Sequence, residues 1–301
     1  MELGMVGLGR MGANMAQRLV RGGHRVVGFD PSEAARSAAA GRGVAIATDL
    51  AGVVAALPAP RTLWLMVPAG APTDATLTAL LPLLAPGDTL VDGGNSNYQD
   101  TLRRAADCAG HGLTLIDCGT SGGIWGLDHG YSLTLGGDAE RVRALQPILA
   151  TLAPAADRGW AHVGPVGAGH FAKMVHNGIE YGLMQAYAEG LAILARKPEF
   201  DFDLQQVASA WSDGSVVRSW LLERIVGMLA ANPRLDGVAP VVADSGEGRW
   251  TVAEAIALDV PAPVITAALI ARLRSRDAHA FGDRLLAALR HEFGGHALPR
   301  D

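Results

Sequence analysis

The first half of the chain alternates short apolar runs with helical patterns, and this alternation constrains the fold more than any other feature. It is typical of β-α-β units, in which parallel strands form one sheet with helices on both faces. The connections between such strands are right-handed. The predicted strands are residues 3–7, 25–30, 62–67, 89–92, 113–117, 132–135 and 160–163, and the predicted helices between them include 11–21, 71–84 and 98–109.

Strand patterns end at the stretch Gly164-Pro165-Val166-Gly167. One helical pattern then runs from residue 168 to about residue 196, which is longer than a typical globular helix. Shorter helical patterns follow at 204–211, 216–229, 251–258, 264–274 and 278–293. We therefore predict an α/β domain over residues 1–165 and an all-α domain over residues 166–301.

Composition limits the classes of protein to which the chain can belong. With 49% hydrophobic and 18% charged residues it is predicted to fold, and its 301 residues exceed what a single core usually holds. No apolar run reaches the roughly 18 residues of a membrane span, and the first residues lack the basic region of a signal peptide. The formal net charge of −5 argues against nucleic acid and anionic membranes as partners. Two cysteines cannot form a disulfide framework, which favours the reducing cytoplasm.

The segment Gly7-Leu8-Gly9-Arg10-Met11-Gly12 has the Gly-x-Gly-x-x-Gly pattern of dinucleotide-binding turns. Gly7 permits the tight turn, Gly9 the close approach of a pyrophosphate, and Gly12 the close packing of helix on strand. The helix N-terminus offers N–H groups and a positive dipole to the phosphates. A tight turn without a ligand is the alternative. The position in the first β-α-β unit favours a Rossmann dinucleotide-binding domain.

Asp30 ends the second predicted strand, 23 residues after Gly7. A carboxylate there accepts hydrogen bonds from the ribose 2′-hydroxyl and repels a 2′-phosphate, which predicts NAD rather than NADP. A helix N-cap role for Asp30 is compatible with this function. Arg25 and Arg36 are the residues that could still bind a 2′-phosphate.

Two polar segments, 92–97 and 119–123, follow the fourth and fifth predicted strands. Ligands bind at the carboxyl ends of strands in open α/β sheets, so both segments are candidate parts of a site. Each segment taken alone also fits an ordinary turn.

Lys173 begins a polar stripe on the long predicted helix. His176, Asn177, Glu180 and Tyr181 follow it at helical spacing and share its face. A solvated outer face is the alternative, but the apolar residues on both sides favour a cleft. Only two of the 25 basic residues are lysines, and a lysine can act as a base near neutral pH if burial lowers its pKa, which arginine cannot do.

Together these residues resemble the decarboxylating 6-phosphogluconate dehydrogenases. The resemblance rests on residues 7–15, 92–97, 121–123 and 169–181, and on Phe293-Gly294-Gly295-His296 near the end of the chain. The run Lys-Met-Val-His-Asn-Gly-Ile-Glu-Tyr at 173–181 separates this family from the related β-hydroxyacid dehydrogenases. The chain length resembles that of the short bacterial NAD-type form.

The resemblance implies oxidation of 6-phosphogluconate at C3 and loss of its carboxylate as CO2, which gives ribulose 5-phosphate in the pentose phosphate pathway. Lys173 falls on the catalytic lysine, which takes the C3 hydroxyl proton and then protonates the ketone oxygen. Glu180 falls on the acid that protonates C1 of the enediol. No metal is expected, because the keto acid already carries its carboxylate β to a carbonyl.

The resemblance also implies the residues that bind the two ligands. Those for the sugar acid phosphate are Asn95, Ser121, Gly122, Gly123, His176, Asn177, Tyr181, Arg272, Arg290 and His296. Those for NAD are Gly7, Gly9, Arg10, Met11, Gly12, Asp30, Val67 and Asn95. Without the resemblance, residues 290–296 fit a frayed helix end. With it, Arg290 and His296 reach the partner's site, which implies a homodimer or a dimer of dimers.

Two other functions stay open at this point. Segment 244–250 lacks the phosphate-binding lysine and threonine of the long enzymes, so an NAD-dependent β-hydroxyacid dehydrogenase for a smaller or unphosphorylated sugar acid is the alternative enzyme. That enzyme would use Lys173 but would not require Glu180 or the tail. A dinucleotide-binding sensor without catalysis is the alternative of another class, and the polar stripe beginning at Lys173 argues against it.

Overall fold

The computed structural model describes residues 1–298, and an eight-stranded sheet is the centre of its N-terminal half. The strands are β1 (Glu2–Val6), β2 (Arg25–Phe29), β3 (Ala45–Ile46), β4 (Thr62–Leu65), β5 (Thr89–Asp92), β6 (Thr114–Ser121), β7 (Ser132–Gly136) and β8 (Trp160–Gly164). The helices of this half are α1 (Arg10–Arg21), α2 (Glu33–Ala40), α3 (Leu50–Ala55), α4 (Ala71–Leu80), α5 (Tyr98–Gly110), α6 (Gly126–His129), α7 (Ala139–Ala144) and α8 (Gln146–Leu152).

The strands lie in the order β3-β2-β1-β4-β5-β6-β7-β8. Neighbours are parallel from β3 to β6, whereas β7 is antiparallel to β6 and parallel to β8. The first six strands therefore have Rossmann order, and the strand order reverses between β1 and β4. This switch point is where ligands bind, outside the carboxyl ends of the strands.

Alternate residues of the strands point to two different core layers, as the two-residue period of a strand requires. Leu3 and Met5 of β1 pack with helices α1 and α8, through Met15 and Ile148 among others. Val6 of the same strand faces the other layer, where helices α3, α4 and α5 contribute Val53, Val54, Leu77, Leu80 and Cys108. The sheet is thus covered on both faces, as predicted for β-α-β units.

The second half is helical. Its helices are α9 (Ala168–Ala195), α10 (Leu204–Ser212), α11 (Trp220–Ala231), α12 (Glu247–Ala257), α13 (Pro263–Arg274) and α14 (Phe281–Gly294). Short 3-10 turns lie at Leu81–Leu83, Gly123–Trp125 and Pro198–Phe200. Several helices begin at a side chain that accepts a hydrogen bond from a first-turn N–H group, which stabilises the helix start. These caps include Ser32, Asp49, Asn97, Asp138, Asp203 and Ser219.

The predicted fold class, an α/β Rossmann half followed by an all-α half, is confirmed. The chain packs as two compact units, Met1–His176 and Asn177–Asp301, and the division falls within the sequence of α9. None of the helices in residues 1–298 combines the length and the apolar character that crossing a membrane requires.

Some predicted bounds were wrong. The two-residue strand β3 was missed because it is too short to show a pattern. Strand β6 continues through Ser121 instead of ending at 117, because residues 117–121 pair with β7 in antiparallel register. Helix α4 ends at Leu80, and its predicted last turn is the 3-10 turn Leu81–Leu83. Helices α11 and α14 begin at Trp220 and Phe281, later than predicted.

Candidate active site

The glycine turn after β1 has the geometry that a pyrophosphate requires. Gly7 has φ +94°, and a Cβ on it would lie 2.6 Å from the Met66 carbonyl oxygen. A Cβ on Gly12 would overlap the Gly7 carbonyl oxygen, so Gly12 allows α1 to approach the turn. No atom lies within 4 Å of the position that a Cβ on Gly9 would take, which leaves space at the helix N-terminus. Helix α1 has no side-chain cap and no acidic residue in its first turn, so its N-terminus favours an anion.

Asp30 is held directly beside this turn. Its Oδ2 accepts a hydrogen bond from the Leu8 N–H at 2.8 Å, and its Oδ1 accepts one from the Ser32 N–H at 2.8 Å. The carboxylate therefore keeps a fixed place at the end of β2, where a ribose would lie. The Arg36 guanidinium donates to the Asp30 carbonyl oxygen at 2.7 Å. Arg25 lies at the opposite end of β2 and pairs with Glu2, so it is not a candidate for a 2′-phosphate.

A cavity of about 640 Å³ lies over this edge of the sheet. Six of the eight residues predicted to bind NAD line it, namely Gly7, Gly9, Met11, Asp30, Val67 and Asn95. Its other walls are Val6, Phe29, Pro31, Leu50, Met66, Pro68, Pro72, Thr76, Gly93 and Gly94. Arg10 and Gly12 lie on α1 and are not part of the lining.

Asn95 joins the loop after β5 to the end of β6. Its Nδ2 donates to the Thr120 carbonyl oxygen at 3.0 Å, and its Oδ1 accepts from the Thr120 N–H at 2.8 Å. Asn95 has φ +53°, a left-handed conformation that asparagine tolerates better than most residues. The two segments predicted from strand ends, 92–97 and 119–123, are therefore brought together. Thr120 is a partner that the predicted site residues did not include.

Ser121, Gly122 and Gly123 form the turn out of β6. Ser121 is the last residue of the strand, and Gly122 has φ +130°. A side chain is strained at this φ, and a Cβ on Gly122 would also lie within 3.2 Å of the Tyr131 ring, so the turn favours glycine. The ring of the buried Tyr131 packs against this turn.

Lys173 lies in the second turn of α9 and is buried, with 7% of its surface exposed. Its Nζ lies 3.2 Å from Nδ1 of His176, one turn later in the helix. The two predicted site residues therefore contact each other.

The position of Lys173 depends on a close approach between helix and sheet. A Cβ on Gly119 of β6 would overlap the Lys173 Cβ and would lie 2.8 Å from the Gly169 carbonyl oxygen. A Cβ on Gly136 of β7 would lie 2.7 Å from the Gly169 nitrogen. Glycine at all three positions lets the backbone of α9 rest on the sheet.

Asp117 anchors the same end of α9. Its carboxylate is fully buried and accepts hydrogen bonds from the N–H groups of Gly167 and His170, each at 2.7 Å. A carboxylate at a helix N-terminus satisfies first-turn donors and interacts favourably with the helix dipole. Sequence analysis missed this role because Asp117 and Gly167 are 50 positions apart in the sequence and meet only in the folded chain.

In the second unit Tyr181 and Arg272 are stacked. Tyr181 is buried, and the Arg272 guanidinium carbon lies 3.5 Å from its ring centroid. Arg272 also donates to the Ala243 carbonyl oxygen at 3.0 Å. The Tyr181 hydroxyl lies 3.4 Å from Oγ of Ser245. These contacts put two predicted substrate-binding residues, Tyr181 and Arg272, beside segment 244–250.

Asp244 organises that segment. Its side chain is 2% exposed, accepts a hydrogen bond from Arg249, and lies 3.7 Å from Arg276. Burial raises the pKa of Asp244, but hydrogen bonds from Arg249 and the Gly246 N–H and the charges of the two arginines outweigh it, so the pKa is lowered. Glu247 accepts a hydrogen bond from the Ser245 hydroxyl.

The remaining predicted residues lie on two helices and the tail. Asn177 and Glu180 are half-buried on α9. Arg290 is exposed on α14, and His296 follows that helix, where its carbonyl oxygen accepts a hydrogen bond from the His291 ring at 2.7 Å. Within residues 1–298 no three His, Cys, Asp or Glu side chains form a group that could bind a metal ion.

Two family models together match most of the chain. The NAD-binding domain of 6-phosphogluconate dehydrogenase matches residues 2–164, and the C-terminal domain of 6-phosphogluconate dehydrogenase matches residues 169–292.

Individual proteins are similar over the whole chain or most of it. The NAD(+)-dependent, decarboxylating 6-phosphogluconate dehydrogenase of Haloferax volcanii is 44% identical over 100% of this chain and 99% of its own length. The decarboxylating 6-phosphogluconate dehydrogenase of Synechococcus elongatus is 36% identical over 91% of this chain but only 61% of its own length. The Plasmodium falciparum 6-phosphogluconate dehydrogenase, solved in apo form and with NADP+ or 6-phosphogluconate, superposes with a TM-score of 0.83 at 27% identity, over 100% of this chain and 66% of its own.

Proposed function

Because the chain belongs to the 6-phosphogluconate dehydrogenase family, we propose that it oxidises and decarboxylates 6-phosphogluconate to ribulose 5-phosphate and CO2, with NAD as the hydride acceptor. The observation that carries the proposal is the buried Lys173, 3.2 Å from His176, on the helix that also bears Glu180. The full-length similarity to the NAD-dependent Haloferax enzyme supports the same reaction.

Lys173 is the general base of this proposal. A lysine removes a proton only as the neutral amine, and burial disfavours the charged form of an amine. In the first step Lys173 takes the proton of the C3 hydroxyl while the C3 hydride leaves. In the second step it returns that proton to the C3 oxygen, which stabilises the enediol formed as CO2 departs.

Glu180 is the general acid. The enediol becomes ribulose 5-phosphate when its terminal carbon, which is C1 of the product, gains a proton and the hydroxyl on the former C3 gives its proton back to Lys173. A second group is therefore needed to supply the proton at C1. Glu180 lies seven residues after Lys173 in one continuous helix, a spacing of about two turns. That spacing supports two proton-transfer groups on one face. The β-keto carboxylate loses CO2 by electron flow into its own carbonyl, so the step itself calls for no metal.

NAD fits the glycine turn and the cavity of the first unit. The turn has space at Gly9, the N-terminus of α1 favours the pyrophosphate, and the fixed carboxylate of Asp30 suits a ribose with two free hydroxyls. When bound, NAD supplies the hydride acceptor. We propose that Gly7, Gly9, Arg10, Met11, Gly12, Asp30, Val67 and Asn95 bind it.

For the sugar acid we propose the residues predicted from the resemblance. Asn95, Ser121, Gly122, Gly123, His176 and Asn177 bind the carboxylate and hydroxyl groups, and Tyr181 and Arg272 bind the phosphate. The stacked guanidinium of Arg272 supports a phosphate role, because a held arginine binds a planar or bidentate anion with less loss of entropy. We place the boundary of the two domains between residues 165 and 166.

A second copy of the chain completes the proposal. Helix α14 has no buried residue, and its apolar side chains Phe281, Leu285, Leu286, Leu289 and Phe293 are 53–74% exposed. Exposed apolar patches of this kind mark interfaces between proteins. Arg290 lies on the same helix, and we propose that it and His296 reach the substrate of the partner subunit in a homodimer or a dimer of dimers. We further propose a cytoplasmic enzyme, since both cysteines are free thiols.

Initial rates with 6-phosphogluconate test the proposal, measured with NAD and with NADP while released CO2 is trapped. We expect NAD reduction matched by CO2, with NAD strongly preferred. Turnover with NADP alone would overturn the role of Asp30. Turnover only with unphosphorylated hydroxy acids would favour the β-hydroxyacid dehydrogenase alternative, to which the acidic Glu247 beside Ser245 gives some support.

A further inference from the structure

Arg104 of α5 is a buried cation that the proposed reaction does not use. Its side chain is 1% exposed, although arginine is among the residues least often buried. Its guanidinium makes four contacts at the carboxyl edge of the sheet, two with the segment from Gly70 to Asp74 and two with the segment from Asp92 to Ser96. It donates to Asp74 Oδ1 at 2.8 Å, to the Gly70 carbonyl oxygen at 3.0 Å, to Ser96 Oγ at 2.9 Å and to Asp92 Oδ2 at 3.4 Å.

The first two of these contacts hold the segment between β4 and α4. Gly70 is the N-cap of α4, and Asp74 is in the first turn of that helix. The hydrogen bond from Arg104 lowers the pKa of Asp74, which keeps this partner ionised. Pro68, Pro72 and Thr76 of the same segment line the 640 Å³ cavity.

The other two contacts hold the loop after β5. The buried Asp92 accepts hydrogen bonds from the Gly94 N–H at 3.0 Å and from the Ser96 hydroxyl at 2.8 Å, so it fixes the residues on both sides of Asn95. Arg104 neutralises Asp92 and donates to Ser96. Gly93, Gly94 and Asn95 form the cavity wall on this side.

We infer that Arg104 is a positioning residue, which connects these two cavity walls and thereby holds Asn95 against Thr120. The planar guanidinium of arginine has several donors and reaches both segments at once, whereas lysine carries a single ammonium group on a flexible side chain. The inference rests on the proposed function, because Asn95 is assigned there to both substrate and cofactor.

Arg103 is a matched control. It donates to the same Asp74 Oδ1 at 2.9 Å, but it is 51% exposed, and it also pairs with Asp100 on its own helix at 3.5 Å. The change Arg103→Lys therefore tests the loss of an arginine at Asp74 without a change at the Asn95 loop.

A double-mutant cycle tests the inference. We expect Arg104→Lys to lower kcat/KM for 6-phosphogluconate by about 10- to 100-fold, since a displacement near 1 Å has such effects. In an Asn95→Ala background the same change should cost less than about twofold, because Arg104 acts through Asn95. Arg103→Lys should stay within about twofold in both backgrounds. Equal losses in the two backgrounds, or no loss in either, would overturn the inference.

Ser96→Ala gives the same test if Arg104→Lys does not fold. It removes one oxygen on the loop side of the contact, and its effect should also disappear in the Asn95→Ala background. NADH binding, followed by fluorescence, separates this inference from the proposed function. If the wild type binds NADH without oxidising 6-phosphogluconate, the proposed function is wrong. The Arg104 inference would still require weaker NADH binding in Arg104→Lys than in Arg103→Lys, and equal binding would overturn it.

Discussion

Gly119 and Lys173 lie so close together that no side chain fits between β6 and α9 at this point. A methyl group on Gly119 would also meet Thr134 Oγ1 at 2.5 Å and the Gly169 carbonyl oxygen at 2.8 Å. Backbone atoms of a helix cannot move aside as the end of a flexible side chain can. A side chain at Gly119 would therefore displace the N-terminal turns of α9. The position of the Lys173 amine, the proposed general base, therefore depends on the absence of a side chain at Gly119 of the neighbouring strand.

Gly119→Ala is expected to lower kcat by about 100-fold, because the shift of α9 displaces the Lys173 amine. Steady-state kinetics and the thermal midpoint of unfolding measure the change. Gly110→Ala is the control, since no atom lies within 4 Å of the added methyl group at the end of α5. It should keep full activity and gain slightly in stability, as glycine-to-alanine changes in helices do. Unchanged kcat in Gly119→Ala would mean that the contact does not position Lys173.

Lys173→Arg is expected to retain substrate binding and lose turnover by about 10³-fold, because an arginine stays charged and cannot act as a base. The measurement is kcat from pH 6 to 10, with KM for 6-phosphogluconate at each pH. Lys197→Arg is the matched control, because Lys197 is exposed and pairs with Glu199. Retention of most activity in Lys173→Arg at any pH would contradict the general-base role.

Glu180→Gln is expected to separate the two halves of the reaction. Hydride transfer precedes the need for an acid at C1, so the first turnover of NADH should form at close to the wild-type rate. Steady-state product release should fall by about 100-fold. Stopped-flow absorbance and trapped CO2 give the two rates, and Glu189→Gln, at an exposed position on the same helix, is the control. Small and equal effects on both rates would favour the β-hydroxyacid dehydrogenase alternative.

The sequence predicted the elements whose signals are local. The Rossmann turn, Asp30 and the helix that carries Lys173 each depend on patterns within about 30 residues, and the structure places them as expected. Asp117, Gly119 and Gly136 act on residues from a different part of the chain. Their roles arise when β7 pairs antiparallel with β6 and α9 packs on both strands, and no periodicity in the sequence reports that packing.

The contacts of segment 244–250 could not be predicted from the sequence either. Comparison with the sequences of the long enzymes shows only that the segment lacks their lysine and threonine. In the structure Asp244 of this segment forms ion pairs with two arginines. Ser245 lies beside the stacked pair of Tyr181 and Arg272. The ion pairs could not be predicted, since Asp244 and Arg276 are 32 residues apart and lie beside each other only through packing.

Asp244 makes the stability of the protein depend on pH in a definite direction. Its pKa in the folded state is lowered from the ordinary aspartate value of 3.8, so its contribution is fully present above about pH 3.8 and is lost as pH falls through the folded pKa. Asp244→Asn should lower the free energy of unfolding by about 2 kcal/mol at pH 7, the size of a hydrogen bond to a charged group. Urea unfolding of both proteins from pH 7 to pH 3 should show the difference shrinking at the acid end. Asp236→Asn, at an exposed ion pair with Arg234, should change stability by less than about 0.5 kcal/mol at every pH.

Arg290 and Lys173 provide a test of whether the tail of one subunit serves the other's site. Arg290→Ala should by itself raise KM for 6-phosphogluconate by about 10- to 100-fold, because a hydrogen bond from arginine to an anionic substrate is a strong, charge-assisted contact. Lys173→Arg should by itself lose turnover by about 10³-fold. When the two variants are unfolded together and refolded, half of the dimers should be hybrids, and one of the two sites in each hybrid combines an intact Lys173 with an intact Arg290. The mixture should therefore recover about one quarter of wild-type activity at low substrate, as subunit symmetry requires. If each site is built from a single chain, no mixture of the two variants regains activity, and the proposed exchange of tails is wrong.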